Sequence, residues 1–203
     1  MYIAVKAAWA LLMSMGLLML GNGLQGSLIG LRATLEGFST QLAGLLMSAY
    51  FVGFLLGSTL TPKIVSKVGH VRVFAALASL ASTMVLLHSV FVDPTLWFIM
   101  RVITGFCMAG LYIVAESWLN DLATNQTRGQ LLSLYMVIVI GGMACGQLLL
   151  NVADPGGFKL FILISVLLSF ALLPVLLSDA PAPSFAAAAP MGLRQLYHSS
   201  PLG

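Results

Sequence analysis

WFIMRVITGFCMAGLYIVAESWLN, residues 97–120, is long enough to cross a lipid bilayer as one helix, since about 20 apolar residues do so. It nevertheless contains two charged residues, Arg101 and Glu116. Residues three or four apart share a helix face, so both charges lie on one stripe. The other members of that stripe are Gly105, Met108 and Tyr112. A spanning helix with such a stripe is expected to turn it towards something other than lipid.

The opposite face of this helix is apolar and is expected to meet lipid or the protein core. Its members are Ile99, Ile103, Phe106, Ile113 and Val114. The charges of Arg101 and Glu116 cannot pair with each other, because the rise of about 1.5 Å per residue places them about 22 Å apart. Each charge therefore needs a partner from another part of the molecule, from solvent or from a ligand.

The composition indicates that lipid is the main solvent of the chain. Charged residues make up 7% and apolar residues 60% of its 203 residues, whereas soluble domains contain about 25% charged residues. The net charge of +3 includes no basic cluster of the kind that binds nucleic acid. Cys107 and Cys145 lie in apolar stretches, and their spacing indicates neither a disulfide framework nor a metal site. No cofactor, metal or nucleic-acid partner is expected.

Six apolar stretches predict an all-α membrane protein with six spanning helices. They cover residues 8–31, 41–61, 71–92, 95–118, 129–152 and 158–178. The first is expected to remain as a helix, because no signal-peptide cleavage pattern follows it. Residues 1–178 are therefore predicted to form one bundle. Residues 179–203 are predicted to be a cytoplasmic linker and tail, whose Ala- and Pro-rich first part is extended and open to proteases.

The distribution of Lys and Arg predicts the orientation of the chain, because short cytoplasmic loops are enriched in these residues. With the amino terminus in the cytoplasm, the basic residues inside are Lys6, Lys63, Lys67, Arg72, Arg128 and Arg194. The basic residues outside are Arg32 and Lys159. Both termini are therefore expected in the cytoplasm.

Three long polar side chains lie at a common depth in different predicted helices. Gln25, Arg101 and Gln147 are each about five or six residues from the outer end of their span, or about 8–9 Å deep. We expect them to share a water-filled pocket, with Asn22 and Tyr112 as further solute or coupling residues. No carboxylate of the six spans lies at this depth, which leaves amides, water, another bundle or an anionic solute as partners for Arg101. The alternative is that Arg101 extends to the outer surface and only anchors its helix.

Charged residues also gather near the predicted cytoplasmic ends of the helices. Glu116 lies there, at a depth close to that of Lys67, Arg72 and Arg128. Ionisable groups in membrane helices pair with one another, so we expect a cytoplasmic gate network of these residues, with Gly69 at the adjoining turn. The alternative is that Glu116 carries a proton.

Several short motifs resemble the major facilitator superfamily of membrane carriers. Arg101 followed four residues later by Gly105 is similar to the family's fourth-helix pattern. Residues 62–72 are similar to its basic loop between helices two and three. The segments at 115–120 and 128–130 are most similar to the bacterial YcaD-like branch of the family.

The resemblance has defined departures. The family's first glycine and its aspartate in the basic loop are replaced by Pro62 and Ser66. The proline that ends the fifth-helix motif of the family's antiporters, after the glycine at Gly146, is replaced by Gln147. The similarity therefore implies neither the latch attributed to that aspartate nor the antiporter motif.

The resemblance implies the fold and the function of the chain. These carriers consist of two six-helix halves, each with two three-helix units in inverted orientation, and they bind the solute between the halves. The chain is expected to be one such half in a bacterial inner membrane. Its expected activity is secondary transport of an unidentified small solute. An anionic solute is expected because no carboxylate of the six spans lies at the depth of Arg101. The expected partner is a second six-helix half or another copy of this chain.

Two other classes of function remain as alternatives. A non-transporting assembly partner, or a truncated or decayed carrier, would also explain a chain of one half. A membrane enzyme, such as an intramembrane serine protease, requires a serine beside a histidine. His88 lies near the outer end of the third span and Ser117 near the inner end of the fourth, on opposite sides of the bilayer, so no such pair is expected.

Overall fold

The computed structural model describes residues 2–178, and within them it contains helices and no strand. The helices are α1 (Tyr2–Leu35), α2 (Thr40–Val68), α3 (His70–Val90), α4 (Pro94–Leu122), α5 (Arg128–Leu148), α6 (Lys159–Phe170) and α7 (Leu172–Leu176). A short 3-10 turn, Leu149–Val152, extends α5. The predicted linker and tail at 179–203 lies outside the described residues.

Six spans in the described part are long and apolar enough to cross a membrane, which confirms the predicted fold class. The sixth consists of α6 and α7 together. The chain divides there because Pro174 has no amide hydrogen to donate to the carbonyl of Phe170, where α6 ends.

Helix α2 is longer than predicted and includes most of the segment predicted as a basic loop. It continues through Pro62 to Val68, since neighbouring groups in a membrane bundle compensate for the missing proline hydrogen bond. The connection to α3 is Gly69 alone, whose φ of 92° favours glycine. Its amide donates a hydrogen bond to the Val65 carbonyl at 2.8 Å. Lys67 therefore belongs to the last turn of a helix.

The packing of the helices has an approximate two-fold symmetry. Helix α2 packs mainly on α4 and α5 mainly on α1, while α3 packs on α4 and α6 packs on α1. Exchanging the first three spans with the last three therefore reproduces the same set of contacts. In this exchange α4 takes the place of α1, and the two helices run in opposite directions. The two groups of three spans are therefore the predicted inverted three-helix units.

Glycines allow the closest of these contacts. At each of the two main interfaces, a Cβ atom on the glycine of one helix would overlap a backbone carbonyl of the other helix. These glycines are Gly53 and Gly105 between α2 and α4, and Gly146 and Gly23 between α5 and α1. Hydrophobicity cannot drive helix association in lipid, so this close backbone approach is what holds each pair together.

The apolar face of α4 does not lie in one environment. Ile99 is 49% exposed and fits the lipid-facing prediction. Phe106 instead packs against α2, where its backbone lies next to Gly57, and Val114 is fully buried. The reason is that α4 has close neighbours on several sides, so a single helix period could not separate lipid from core.

Arg32 fastens the α5–α6 connection to the end of α1. Its Nε donates to Glu36 Oε1 at 2.6 Å. Its Nη1 donates to the carbonyl oxygens of Pro155 at 3.3 Å and Gly157 at 3.2 Å, and also to that of Gly156. This side chain, predicted only as an outer basic residue, therefore joins two distant parts of the sequence.

We expect Arg32→Ala to lower the free energy of unfolding by about 1–3 kcal/mol, because charged donors to the loop carbonyls are lost. Denaturant titration in detergent micelles measures the change. Glu36→Gln should cost less, since a partly exposed i,i+4 ion pair contributes only about 0.3–0.5 kcal/mol. Lys159→Ala removes an exposed cation of the same loop region and is the control. If Arg32→Ala and Lys159→Ala lowered the free energy of unfolding equally, the hydrogen bonds of Arg32 to the α5–α6 loop would not stabilise the fold.

Candidate functional site

The charged stripe of α4 begins in a well-defined helix start. Asp93 Oδ1 accepts a hydrogen bond from the Leu96 amide at 2.9 Å, and Pro94 occupies the first turn, where proline is favoured. Two turns later Arg101 points into the bundle with only 5% of its surface exposed. It therefore does not extend to the surface as a simple anchor.

The guanidinium of Arg101 has an aromatic neighbour but no anionic one. Its central carbon lies 4.6 Å from the ring centroid of Tyr50 on α2, a cation–π contact. Residues 2–178 form a single ion pair, Arg32–Glu36, and no carboxylate in this part of the chain pairs with Arg101. Its Nε is buried without a hydrogen-bond partner. A buried cation in this condition costs free energy unless a ligand or water satisfies it.

Arg101 lines a cavity of about 350 Å³ between α1, α2, α4 and α5. This space, here called the Arg101 cavity, is also lined by Asn22, Ser27, Met47, Tyr50, Phe51, Met143 and Gln147, together with two glycines of α1. The size lies within the range of small-molecule sites. The structure thus brings three predicted solute residues together, namely Arg101, Asn22 and Gln147.

Gln25 does not belong to this cavity, and the prediction that it shares a pocket with Arg101 is wrong. Its side chain is 1% exposed, lies in the bundle core and leaves Nε2 without a hydrogen-bond partner. The next residue, Gly26, does line the cavity. One residue is about 100° of helix rotation, so equal depth placed Gln25 at the right level but on the wrong face.

A second cavity, of about 430 Å³, contains the other end of the α4 stripe. This Glu116 cavity is lined by Asn22, Tyr50, Phe54, Ser58, Ala109, Tyr112, Ile113, Glu116 and Met143. Three of these residues also line the Arg101 cavity, so the two spaces adjoin at Asn22, Tyr50 and Met143. Ile113, predicted on the apolar face, therefore borders the same space as the charged stripe.

Tyr112 lines the Glu116 cavity and does not line the Arg101 cavity. Its hydroxyl donates to the sulfur of Met19 at 2.9 Å and lies 3.9 Å from that of Met143. The aromatic and thioether groups of this cavity come from α2, α4 and α5, while α1 contributes the amide of Asn22.

Tyr50 is the site residue that the sequence did not reveal. It stacks on Arg101 and borders both cavities. A tyrosine in an apolar span is common, so no local pattern distinguishes it. The one indirect signal is Gly105, which lets the Tyr50 backbone come close to α4.

The predicted ion-pair network around Glu116 is not formed in this structure. All four of its charged members, Lys67, Arg72, Glu116 and Arg128, are exposed, and within residues 2–178 none of them takes part in an ion pair. Glu116 Oε1 instead accepts a hydrogen bond of 3.4 Å from the hydroxyl of Tyr135. Exposed charges gain little from pairing, which is the physical reason for the difference.

We expect Glu116→Gln to change the free energy of unfolding by no more than about 0.5 kcal/mol, the usual range for exposed positions. Thermal unfolding in micelles measures this, and Tyr135→Phe is the matched control for the single hydrogen bond. A large loss of stability would instead support the predicted ion-pair network around Glu116. Loss of proton-driven uptake alone, with folding and solute binding kept, would establish Glu116 as a proton carrier.

A serine and a histidine do meet in this bundle, at a position the sequence did not indicate. His70 Nε2 lies 2.9 Å from Ser117 Oγ. Ser117 Oγ also lies 3.1 Å from the Val114 carbonyl oxygen. Its one proton goes either to that carbonyl or to His70, according to the tautomer of the imidazole. The pair connects α3 to α4.

Comparison with known proteins gives a family match over most of the chain. The sequence model of the Major Facilitator Superfamily matches residues 11–201. An uncharacterized MFS-type transporter YcaD of Escherichia coli O45:K1 is 31% identical over 148 residues, which are 70% of this chain and 37% of the relative. The uncharacterized MFS-type transporter YE1530 of Yersinia enterocolitica is 31% identical over 153 residues, which are 74% of this chain and 39% of that relative.

The YcaD protein of Escherichia fergusonii is 27% identical over 176 residues, which are 87% of this chain and 46% of that relative. The chain thus spans less than half the length of these relatives.

Proposed function

This chain belongs to the major facilitator superfamily, and from that membership we propose that it acts as one half of a secondary transporter for a small anionic solute. The observation that carries the proposal is Arg101, which is buried, lines a cavity and has no anionic partner among residues 2–178. An intramembrane cation of this kind marks a substrate or ion pathway.

A second six-helix bundle completes the carrier in this proposal. Family carriers bind their solute between two halves that move against each other, and the chain matches less than half of its relatives. Helices α2 and α5 keep most of their surface outside this bundle and supply faces for such a partner. The second bundle is another copy of this chain or a separate or continuing polypeptide.

The cavity residues have distinct proposed roles. Arg101 binds the negative charge, while the amides of Asn22 and Gln147 orient the solute in the Arg101 cavity. Tyr112 borders the path from there towards Glu116. We place the cytoplasmic gate at the exposed basic residues Lys67, Arg72 and Arg128 and the Gly69 connection, although these residues form no ion pair in the described part of this structure.

Uptake into lipid vesicles tests the proposal. The chain is reconstituted at increasing protein density, and a panel of organic anions, sugars and amino acids is offered under an imposed proton or solute gradient. Saturable uptake that rises more steeply than protein density supports assembly of two copies. Solute binding without uptake favours the non-transporting assembly partner. The absence of both binding and uptake for every anion contradicts the proposal.

The proposal places the chain in a bacterial inner membrane with both termini on the cytoplasmic side. We expect Gln126→Cys, in a chain without Cys107 and Cys145, to react with an impermeant maleimide only from the cytoplasmic side. Lys159→Cys should react only from the opposite side. The reason is that short loops with basic residues stay in the cytoplasm, and the α4–α5 loop leads to Arg128 at the start of α5. Labelling of residue 126 from the outside alone would invert the topology.

A further inference from the structure

Resting on the proposed transport function, we infer that the solute of the Arg101 cavity is an organic monocarboxylate with a flat apolar body. Its carboxylate binds the Nη end of Arg101, and its body lies against Tyr50 and the thioether of Met143. Three features of the two cavities lead to this class, namely their charge, the geometry of the donor and the chemistry of the lining.

The charge of the cavities favours a monoanion. Among residues 2–178, the charged side chains that line these two cavities are those of Arg101 and Glu116. A phosphate dianion or a dicarboxylate would leave its second charge without a partner in this half. Because Arg101 and Glu116 are about 22 Å apart along α4, they cannot both pair with the closely spaced charges of a small amino acid.

The geometry of the donor favours a carboxylate. The Tyr50 ring covers one face of the guanidinium, with 4.6 Å between the central carbon and the ring centroid. Nε is buried without a partner, so the side chain meets the cavity with its two Nη groups. Two parallel N–H donors match the two oxygens of a planar carboxylate, which gives both binding energy and orientation.

The lining favours an apolar body over a polar one. Besides Arg101, the cavity presents the aromatic rings of Tyr50 and Phe51 and the thioethers of Met47 and Met143, which pack well against an aromatic ring. It also presents three polar side chains, those of Asn22, Ser27 and Gln147. A sugar carries a hydroxyl on nearly every carbon, and the hydroxyls that these three side chains do not bind would lose their hydrogen bonds to water in this site.

Equilibrium binding to the purified full chain in detergent, with radiolabelled benzoate as the probe, tests the inference. The competitors are benzamide, acetate, phenylalanine and inorganic phosphate, which separately remove the charge, remove the ring, add an ammonium group and replace the carboxylate. We expect benzoate to bind at least about tenfold more tightly than each of them.

Variants test the same site independently. Arg101→Ala should weaken benzoate binding at least about tenfold. Tyr50→Leu should also weaken it, since the aromatic ring supports both the guanidinium and the solute. Lys159→Ala removes an exposed cation outside both cavities and should bind like the wild-type chain.

The outcomes separate this inference from the proposed function. Phosphate or acetate competing as well as benzoate, with binding still lost in Arg101→Ala, would overturn the apolar monocarboxylate and leave the anion transporter intact. No benzoate binding up to about 10 mM by a folded chain would also overturn the inference. Saturable binding of a neutral solute that is unchanged in Arg101→Ala would overturn both.

Discussion

Replacing Gly105 with alanine is expected to separate α2 from α4 and to destabilise the whole bundle. The added Cβ would overlap the carbonyl oxygen of Tyr50, which belongs to the helix backbone and cannot rotate away. Overpacking of this kind costs about 1–3 kcal/mol or more. It also moves Tyr50 away from Arg101, so the substitution should impair the site together with the fold.

Denaturant titration in detergent micelles measures the loss, and the chain offers a matched control. Gly141 lies in the middle of α5, and a Cβ there meets nothing within 4 Å. Gly141→Ala should be neutral or stabilising by about 0.5–1 kcal/mol, because alanine loses less backbone entropy in a helix. Opposite signs for the two substitutions are expected. A neutral Gly105→Ala would show that the α2–α4 contact does not stabilise the bundle.

The inverted symmetry extends this prediction to the other unit. Gly23 stands in the same relation to the Met143 carbonyl as Gly105 does to that of Tyr50. Gly23→Ala should therefore cause a loss of similar size through the α1–α5 interface. Unequal losses would mean that the two units contribute differently to stability.

Arg101→Ala is expected to remove anion binding while leaving the bundle folded. The guanidinium is the positive charge in the cavity lining, and it has no carboxylate partner among residues 2–178. Its removal therefore costs this part of the protein no ion pair. Binding should fall at least about tenfold. Arg101→Lys should not restore it, because an ammonium lacks the planar fork that matches a carboxylate.

A volume-conserving variant separates the site from the fold. Arg101→Met fills the space of the arginine stem without a buried charge, and we expect its free energy of unfolding to equal or exceed that of the wild type. Solute binding and unfolding are measured on the same preparations. Wild-type binding in Arg101→Lys would reduce Arg101 to a simple positive charge. Wild-type binding in Arg101→Ala would remove it from the site.

The resemblance noted in the sequence is confirmed by the family match over residues 11–201. It depended on short-range features such as Arg101 followed by Gly105, which are visible in a single helix. The six spans and the all-α fold were predictable for the same reason, since hydropathy acts along a contiguous segment. The extension of α2 through Pro62 was not, because neighbouring helices compensate for the lost hydrogen bond.

The sequence by itself determined how deep each polar residue lies, because every residue advances a helix by the same rise. Arg101 and Gln147 accordingly reach one cavity. Tertiary structure decided which way each side chain faces. Close contacts at glycines such as Gly105 and Gly23 set the rotation of α2 against α4 and of α5 against α1. That rotation brings Tyr50 over Arg101 and turns Gln25 into the core, since the direction of a side chain depends on the helix it packs against.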